Sequence, residues 1–295
     1  MRRRSLWMAA ALALVPAASG ALELAPVGTI VPRGTDRPLL SASGLWYDPL
    51  RGYLLIADTQ AHQVLVLRRT GDVVKVLGGA GRVRFPVAVA ATRGGRLYVA
   101  QRGSQSLLAI DAYDSAAEGF GTVDLSPHGR GRDVEPVGLW TNGAGDLYVA
   151  DRGNRQILVL DREGKLKLTI PGTGETGDVW VERSGEILVA DPAFGGVRIF
   201  RESGALVATI GAHPVQGRDP LRARAIVTDR AQRVWAVEES GSSLQALDRL
   251  GNRLFRSSGR EGLFAPVDLS IDEQNNLYVL EQGAGRISVF EIRGL

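Results

Sequence analysis

The chain has 295 residues, with 35 Lys plus Arg against 32 Asp plus Glu and no cysteine. The missing cysteine excludes a disulfide framework and a lipid-modified thiol. Arg2, Arg3 and Arg4 account for the whole excess of positive charge, and the rest balances at 32 against 32, so residues beyond 20 carry no electrostatic footprint for nucleic acid.

The first twenty residues stand apart. The three arginines precede an apolar run from Leu6 to Ala18, broken by Pro16 and closed by Ala18-Ser19-Gly20. This order of charged, apolar and small residues reads as a signal peptide over 1–20, with cleavage before Ala21 or Leu22. It implies a mature domain over 21–295 that is periplasmic or secreted. No later apolar run approaches the roughly 20 residues of a spanning helix, so no membrane span is expected after cleavage.

Beyond residue 20 one unit recurs. Leu147-Tyr-Val-Ala-Asp151 has counterparts ending at Asp58, Gln101, Asp191, Glu238 and Glu281, at intervals of 43, 50, 40, 47 and 43 residues. A period near 40 to 45 residues made of short strands and turns predicts an all-β, six-bladed β-propeller with four-stranded antiparallel blades. Inner strands are expected at Gly44-Leu-Trp-Tyr, Pro86-Val-Ala-Val-Ala, Pro136-Val-Gly-Leu-Trp, Asp178-Val-Trp-Val, Ala225-Ile-Val-Thr and Pro266-Val-Asp-Leu-Ser. The Leu-Tyr-Val-Ala units supply second strands, apolar almost throughout because neighbouring blades cover both faces. Glycines 71, 164, 204, 251 and 294 mark the turn into each fourth strand, where φ > 0 is expected. The sixth repeat reaches Gly294 without a fourth strand, and Ala25-Pro-Val-Gly-Thr-Ile30 resembles the fourth strand Ala205-Leu-Val-Ala-Thr-Ile210. The N-terminal segment is therefore expected to complete the last blade and hide both sheet edges.

The pattern Pro-x-Gly, Leu-Tyr-Val-Ala-Asp and Arg-Gly-Asn154-Arg-Gln-Ile-Leu-Val-Leu-Asp161 resembles the NHL repeat family over residues 22–295, with blade three almost a consensus copy and blade five degenerate. That family consists mostly of interaction platforms. The resemblance therefore implies an exported, monomeric, non-catalytic binding or scaffold propeller whose partner is another envelope or extracellular protein.

Candidate site residues fall into four groups. The acids closing the second strands recur in nearly every blade and are assigned a structural role, accepting hydrogen bonds from backbone N–H groups. Asp178 and Asp268 break the repeat at an inner-strand position held elsewhere by Gly44, Ala88, Gly138 and Ala225. Two carboxylates near one channel would repel unless hydrated, separated or neutralised, which makes them candidate ligands for a channel calcium ion. His62, His128 and His213 lie in loops of one propeller face, as do Arg102, Arg130, Arg132, Arg152 and Arg155. These form the candidate ligand or partner surface, together with a long departure from the period at residues 112–134. Trp46, Trp140 and Trp180 occupy equivalent positions and are assigned to packing between neighbouring blades.

The alternative reading is a metal-dependent hydrolase or lyase with calcium or zinc in the central channel. Compared with gluconolactonases, Ala42 stands where a metal-binding Glu belongs. Compared with the peptide-amidating lyase, Asp268 could match a calcium-binding Asp, but Val267 precedes it where that enzyme has His. No Ser or Cys nucleophile stands with a His and an acid.

Overall fold

The computed structural model describes residues 21–35, 39, 41–78, 81–116, 119–211, 220–240 and 243–294. The expected signal segment and His213 lie outside the described residues. Six four-stranded antiparallel sheets are arranged as a propeller. Blade one runs from the axis outward as β2 (Ala42–Asp48), β3 (Tyr53–Asp58), β4 (Gln63–Arg68) and β5 (Val73–Leu77). The inner strands of the next five blades are β6 (Pro86–Ala91), β10 (Pro136–Thr141), β14 (Asp178–Val181), β18 (Ala223–Thr228) and β22 (Pro266–Ile271). Each packs on the next, and β22 returns to β2, so the ring is continuous.

Closure follows the sequence expectation. Strand β1 (Glu23–Ile30) is the outermost strand of blade six and pairs antiparallel with β24 (Arg286–Arg293), from Glu23 opposite Arg293 to Ile30 opposite Ile287. Leu22, Leu24 and Ile30 are buried, whereas Val27, at the one irregularity of the ladder, is exposed. Second strands such as Leu147–Asp151 and Ile187–Asp191 are buried at every position. Outer strands keep side chains in water, as Leu206 and Val207 show. Gly71 and Gly164 take φ of +92° and +84° at the turn into the fourth strand, a conformation that favours glycine.

The stretch 112–134 is not the extra loop that its departure from the period suggests. Its middle is the fourth strand of blade two, β9 (Gly119–Asp124), followed by one 3-10 turn at Ser126–His128. Gly119, Gly121 and exposed Phe120 hide the strand pattern in sequence, because glycine is depleted from strands and this one lies at a solvated blade edge.

The inner strands share a further device. In five of them the register with the second strand slips by one residue, between 42 and 44, 86 and 88, 136 and 138, 223 and 225, and 266 and 268. The extra residues are Ser43, Val87, Val137, Arg224 and Val267, and all five line the mouth of the central channel. A β-bulge re-aims a side chain without breaking the strand, and here five of them surround one opening.

Candidate functional site

The second-strand acids anchor the segments that lead into the inner strands. Asp151 accepts hydrogen bonds from the Glu135 N–H at 2.9 Å, the Asn154 N–H at 3.3 Å and the Gln156 side-chain amide at 2.9 Å. Glu281 accepts from Phe264 N–H at 2.6 Å, Asp58 from Ser41 N–H at 3.0 Å, and Gln101 plays the same part for Arg84 N–H at 2.6 Å. Each carboxylate or amide therefore fixes the chain where it enters its own blade's inner strand. These acids are buried and structural, as their recurrence implies.

Above the inner strands lies a cavity of about 310 Å³. Its rim carries Arg102, Arg152 and Arg224 with Glu135, Glu175 and Glu239, and its base carries Asp178 and Asp268. Arg152 forms a two-pronged pair with Glu135, and Glu239 is held by Arg222 at 2.7 Å. No hydrogen bond or ion pair from the Arg102 or Arg224 guanidinium is found among the described residues.

The two acids at the base act as bridges between strands. Asp268 accepts from its own neighbour Leu269 N–H at 2.8 Å and from Leu45 N–H of blade one at 2.6 Å. Asp178 accepts from Val179 N–H at 2.8 Å and from Ile226 N–H of blade five at 3.1 Å. Each thus ties its inner strand to that of the following blade. Gly138 makes room for this arrangement: a Cβ there would stand 2.8 Å from Asp178 Oδ1 and 2.9 Å from its Cα.

Both carboxyls are harder to ionise than usual. Burial pushes Asp178 up to about 7, against the opposing pull of its two N–H donors. Asp268 is raised by burial and further by the Asp178 carboxylate, while Arg224 acts to lower it. The pair therefore holds a proton well above the ordinary carboxylate range. Among the described residues no group of three His, Cys, Asp or Glu comes together in a metal-binding cluster. Two carboxylates are the right kind of donor for a hard cation, but they supply only part of the six to eight oxygens that calcium takes.

The remaining sequence candidates scatter. His62 Nδ1 accepts from Phe85 N–H at 3.1 Å, and its ring stands edge-on to Phe85 at 4.1 Å. The His128 carbonyl accepts from Gln156 at 3.0 Å. Neither ring lines the cavity. Arg130, Arg132 and Arg155 also lie off it, and the Arg130 N–H is held by Asn154 Oδ1 at 2.7 Å.

The tryptophans require a correction. They do not simply pack between neighbouring blades: Trp46 and Trp140, two blades apart, have ring centroids 4.6 Å apart, and Trp140 meets Trp180 at 4.0 Å. Ala90, the small residue at the same position of blade two, leaves the gap through which Trp46 reaches Trp140. The three indoles line both the cavity and a second funnel of about 720 Å³ that opens on the opposite face. They form the aromatic partition between the two.

No protein-family model matches the chain, and no curated protein matches it in sequence. Solved structures do match. Virginiamycin B lyase from Staphylococcus aureus is 12% identical, with 93% of this chain and 89% of that one covered and a TM-score of 0.65. A streptogramin B lyase is 13% identical over 92% and 87%, with a TM-score of 0.66. A gluconolactonase from Xanthomonas campestris is 16% identical over 93% and 99%, with a TM-score of 0.65. At these identities the likeness establishes the propeller fold. The expectation of a scaffold without catalysis is corrected to this extent: the solved propellers named here, which cover nine-tenths of the chain, are enzymes and not scaffolds. The S. aureus lyase was also solved as a catalytically inactive histidine-to-alanine variant with quinupristin. Here no described histidine lines the channel.

Proposed function

We propose that this chain is an enzyme, a lyase or hydrolase whose reaction centre is the channel mouth and whose proton-transferring groups are Asp178 and Asp268. The observation that carries this reading is the pair itself: two carboxyls that break the repeat, share one cavity base and are made harder to ionise by their burial there. A general acid or base works best when its pKa lies near the working pH, and such a group contributes about 10² to 10⁴ in rate. The like charges keep one partner protonated while the other is ionised, so one can accept a proton as the other donates. Arg102 and Arg224 at the rim supply fixed positive charge for an anionic or strongly polar substrate. The similarity to lyases and a gluconolactonase supports this class of activity, and the repeat pattern of blade three supports grouping the chain with NHL-type propellers.

A substrate panel that includes gluconolactone and quinupristin provides the test. Turnover of any member is expected to fall by about 10² or more in Asp178→Ala and in Asp268→Ala, with wild-type activity equal in EDTA and in millimolar calcium. Turnover untouched in both variants would sink the assignment. A calcium-dependent rise in both activity and melting temperature, lost in the double variant, would convert the pair into a cation site.

We further propose that the enzyme works outside the cytoplasm after losing residues 1–20, on the strength of the N-terminal charge and apolar order alone. Mass spectrometry of the extracytoplasmic fraction is expected to find an N-terminus at Ala21 or Leu22. Recovery of an intact Met1 form from the cytosol would refute export.

A further inference from the structure

Pseudo-symmetry exposes what the two aspartates leave unfilled. In an antiparallel pair every second residue of an inner strand turns its N–H and C=O away from the second strand, here toward the axis and the neighbouring blades. Leu45 and Tyr47 donate in that direction, to Asp268 and to Ser270 Oγ at 3.0 Å. The carbonyls of Val87 and Ala91 accept in that direction, from Ser43 Oγ at 3.2 Å and Thr141 Oγ1 at 2.7 Å. Six equivalent N–H groups form one tier of the ring: Leu45, Val89, Leu139, Val179, Ile226 and Leu269. Val89 lies opposite Val99, and Leu139 opposite Val149, in the register that sets Leu45 opposite Ile56.

Asp178 takes the N–H groups of Val179 and Ile226, and Asp268 takes those of Leu269 and Leu45. For the other two, Val89 and Leu139, no such acceptor is found among the described residues. The side chain that would reach each comes from the preceding blade, where the positions hold Gly44 and Ala88, and neither has an acceptor. Both residues line the cavity, on adjacent blades. A third donor belongs to the same cavity lining. Trp46 is only 7% exposed, lines the same cavity and has an indole N–H with no hydrogen-bond partner. Buried donors without partners are rare and costly, and three in one cavity wall need an acceptor from outside the chain.

We infer that the inward N–H groups of Val89 and Leu139 form a donor pair for a substrate oxygen, the carbonyl of an ester or lactone or one oxygen of a carboxylate, set in the same tier as the two aspartates. This rests on the enzymatic reading above and deepens it by naming the reacting group. Fixed N–H dipoles stabilise charge developing on such an oxygen, while the acids move the proton. The Trp46 indole N–H is the natural second-row donor to the same acceptor.

The chain itself supplies the decisive variant. An amide at position 88 would reach Leu139 N–H as Asp178 reaches Ile226, so Ala88→Asn closes one donor without adding charge. Ala88→Ser serves the same purpose with less bulk if the amide impairs folding. In the ¹⁵N-labelled mature domain, acetate and δ-valerolactone are each expected to shift the Val89 and Leu139 amide protons downfield, together and saturably. In Ala88→Asn the Leu139 amide is expected to be shifted without probe and to stop responding. Silence of both amides with either probe, or an unchanged Leu139 response in both variants, would overturn the inference. The readout is independent of turnover. Responsive amides without turnover on any substrate would leave the donor pair standing and remove the enzymatic reading; turnover lost in Asp178→Ala with silent amides would do the reverse.

Discussion

Removal of residues 22–30 is expected to lower the melting temperature by more than about 10 °C, or to abolish cooperative melting altogether. The segment contributes Leu22, Leu24 and Ile30, each with less than a tenth of its surface exposed. Burying a side chain of this kind is worth about 1.5–3 kcal/mol, and whole domains are stable by only about 5–15 kcal/mol. For a domain of this size 1 kcal/mol moves the melting point by roughly 2–4 °C. The deletion also uncovers the ladder edge of β24 from Ile287 to Arg293, an open template for pairing with another copy. Aggregation on heating should therefore accompany the loss. Val27→Ala is the control: its side chain is 62% exposed, and calorimetry should find it within about 0.5 kcal/mol of wild type. A deletion variant that melts within two or three degrees of the full domain would show that the N-terminal strand does not close the ring.

The second large effect is on pH. Burial pushes the Asp178 carboxyl from its ordinary 3.8 up to about 7 in the folded ring. Between roughly pH 4 and 7 the folded ring therefore binds more protons than the unfolded chain, so stability falls as pH rises through that window and levels off above it. A displacement from 3.8 to about 7 corresponds to at most about 4 kcal/mol at 1.36 kcal/mol per pH unit. Water in the open cavity reduces that figure. Asp191 and Glu182, also raised by burial, act in the same direction, and Glu135, held low by Arg152, acts in the opposite direction at more acid pH. The isolating measurement is thus the difference between wild type and Asp178→Ala in denaturant melts at pH 4, 6 and 8. That difference should move in favour of the alanine variant as pH rises. Parallel curves would mean that Asp178 ionises as an ordinary carboxylate.

The fold was legible because each blade repeats an apolar second strand, five of the six place glycine at the turn into the fourth strand, and the recurrent acids mark where second strands end. The closing strand was legible for the same reason, since Ala25–Ile30 copies another blade's outer strand. Asp178 and Asp268 were legible as departures from a small-residue position, and they do share the cavity base. What the sequence concealed depends on geometry across the axis. Nothing in the spacing of Trp46 and Trp140 says that Ala90 leaves a gap for them to meet, and glycine in β9 disguised a strand as a loop. The donors at Val89 and Leu139 are backbone groups, which no side-chain pattern reports. They become visible only when two of six equivalent positions are seen to lack the acceptor that serves the other four.

The closing ladder has a mechanical consequence. Glu23 pairs with Arg293 at one end of the ladder and Ile30 with Ile287 at the other, so both chain ends leave from the same end of it. A force drawing those ends apart loads the ladder as a zipper, one hydrogen bond at a time, and not in shear across all of them at once. Tension between the two termini would peel β1 from β24 and open blade six while the five blades joined by their own turns stay intact. A tether at one terminus alone leaves the ladder unloaded.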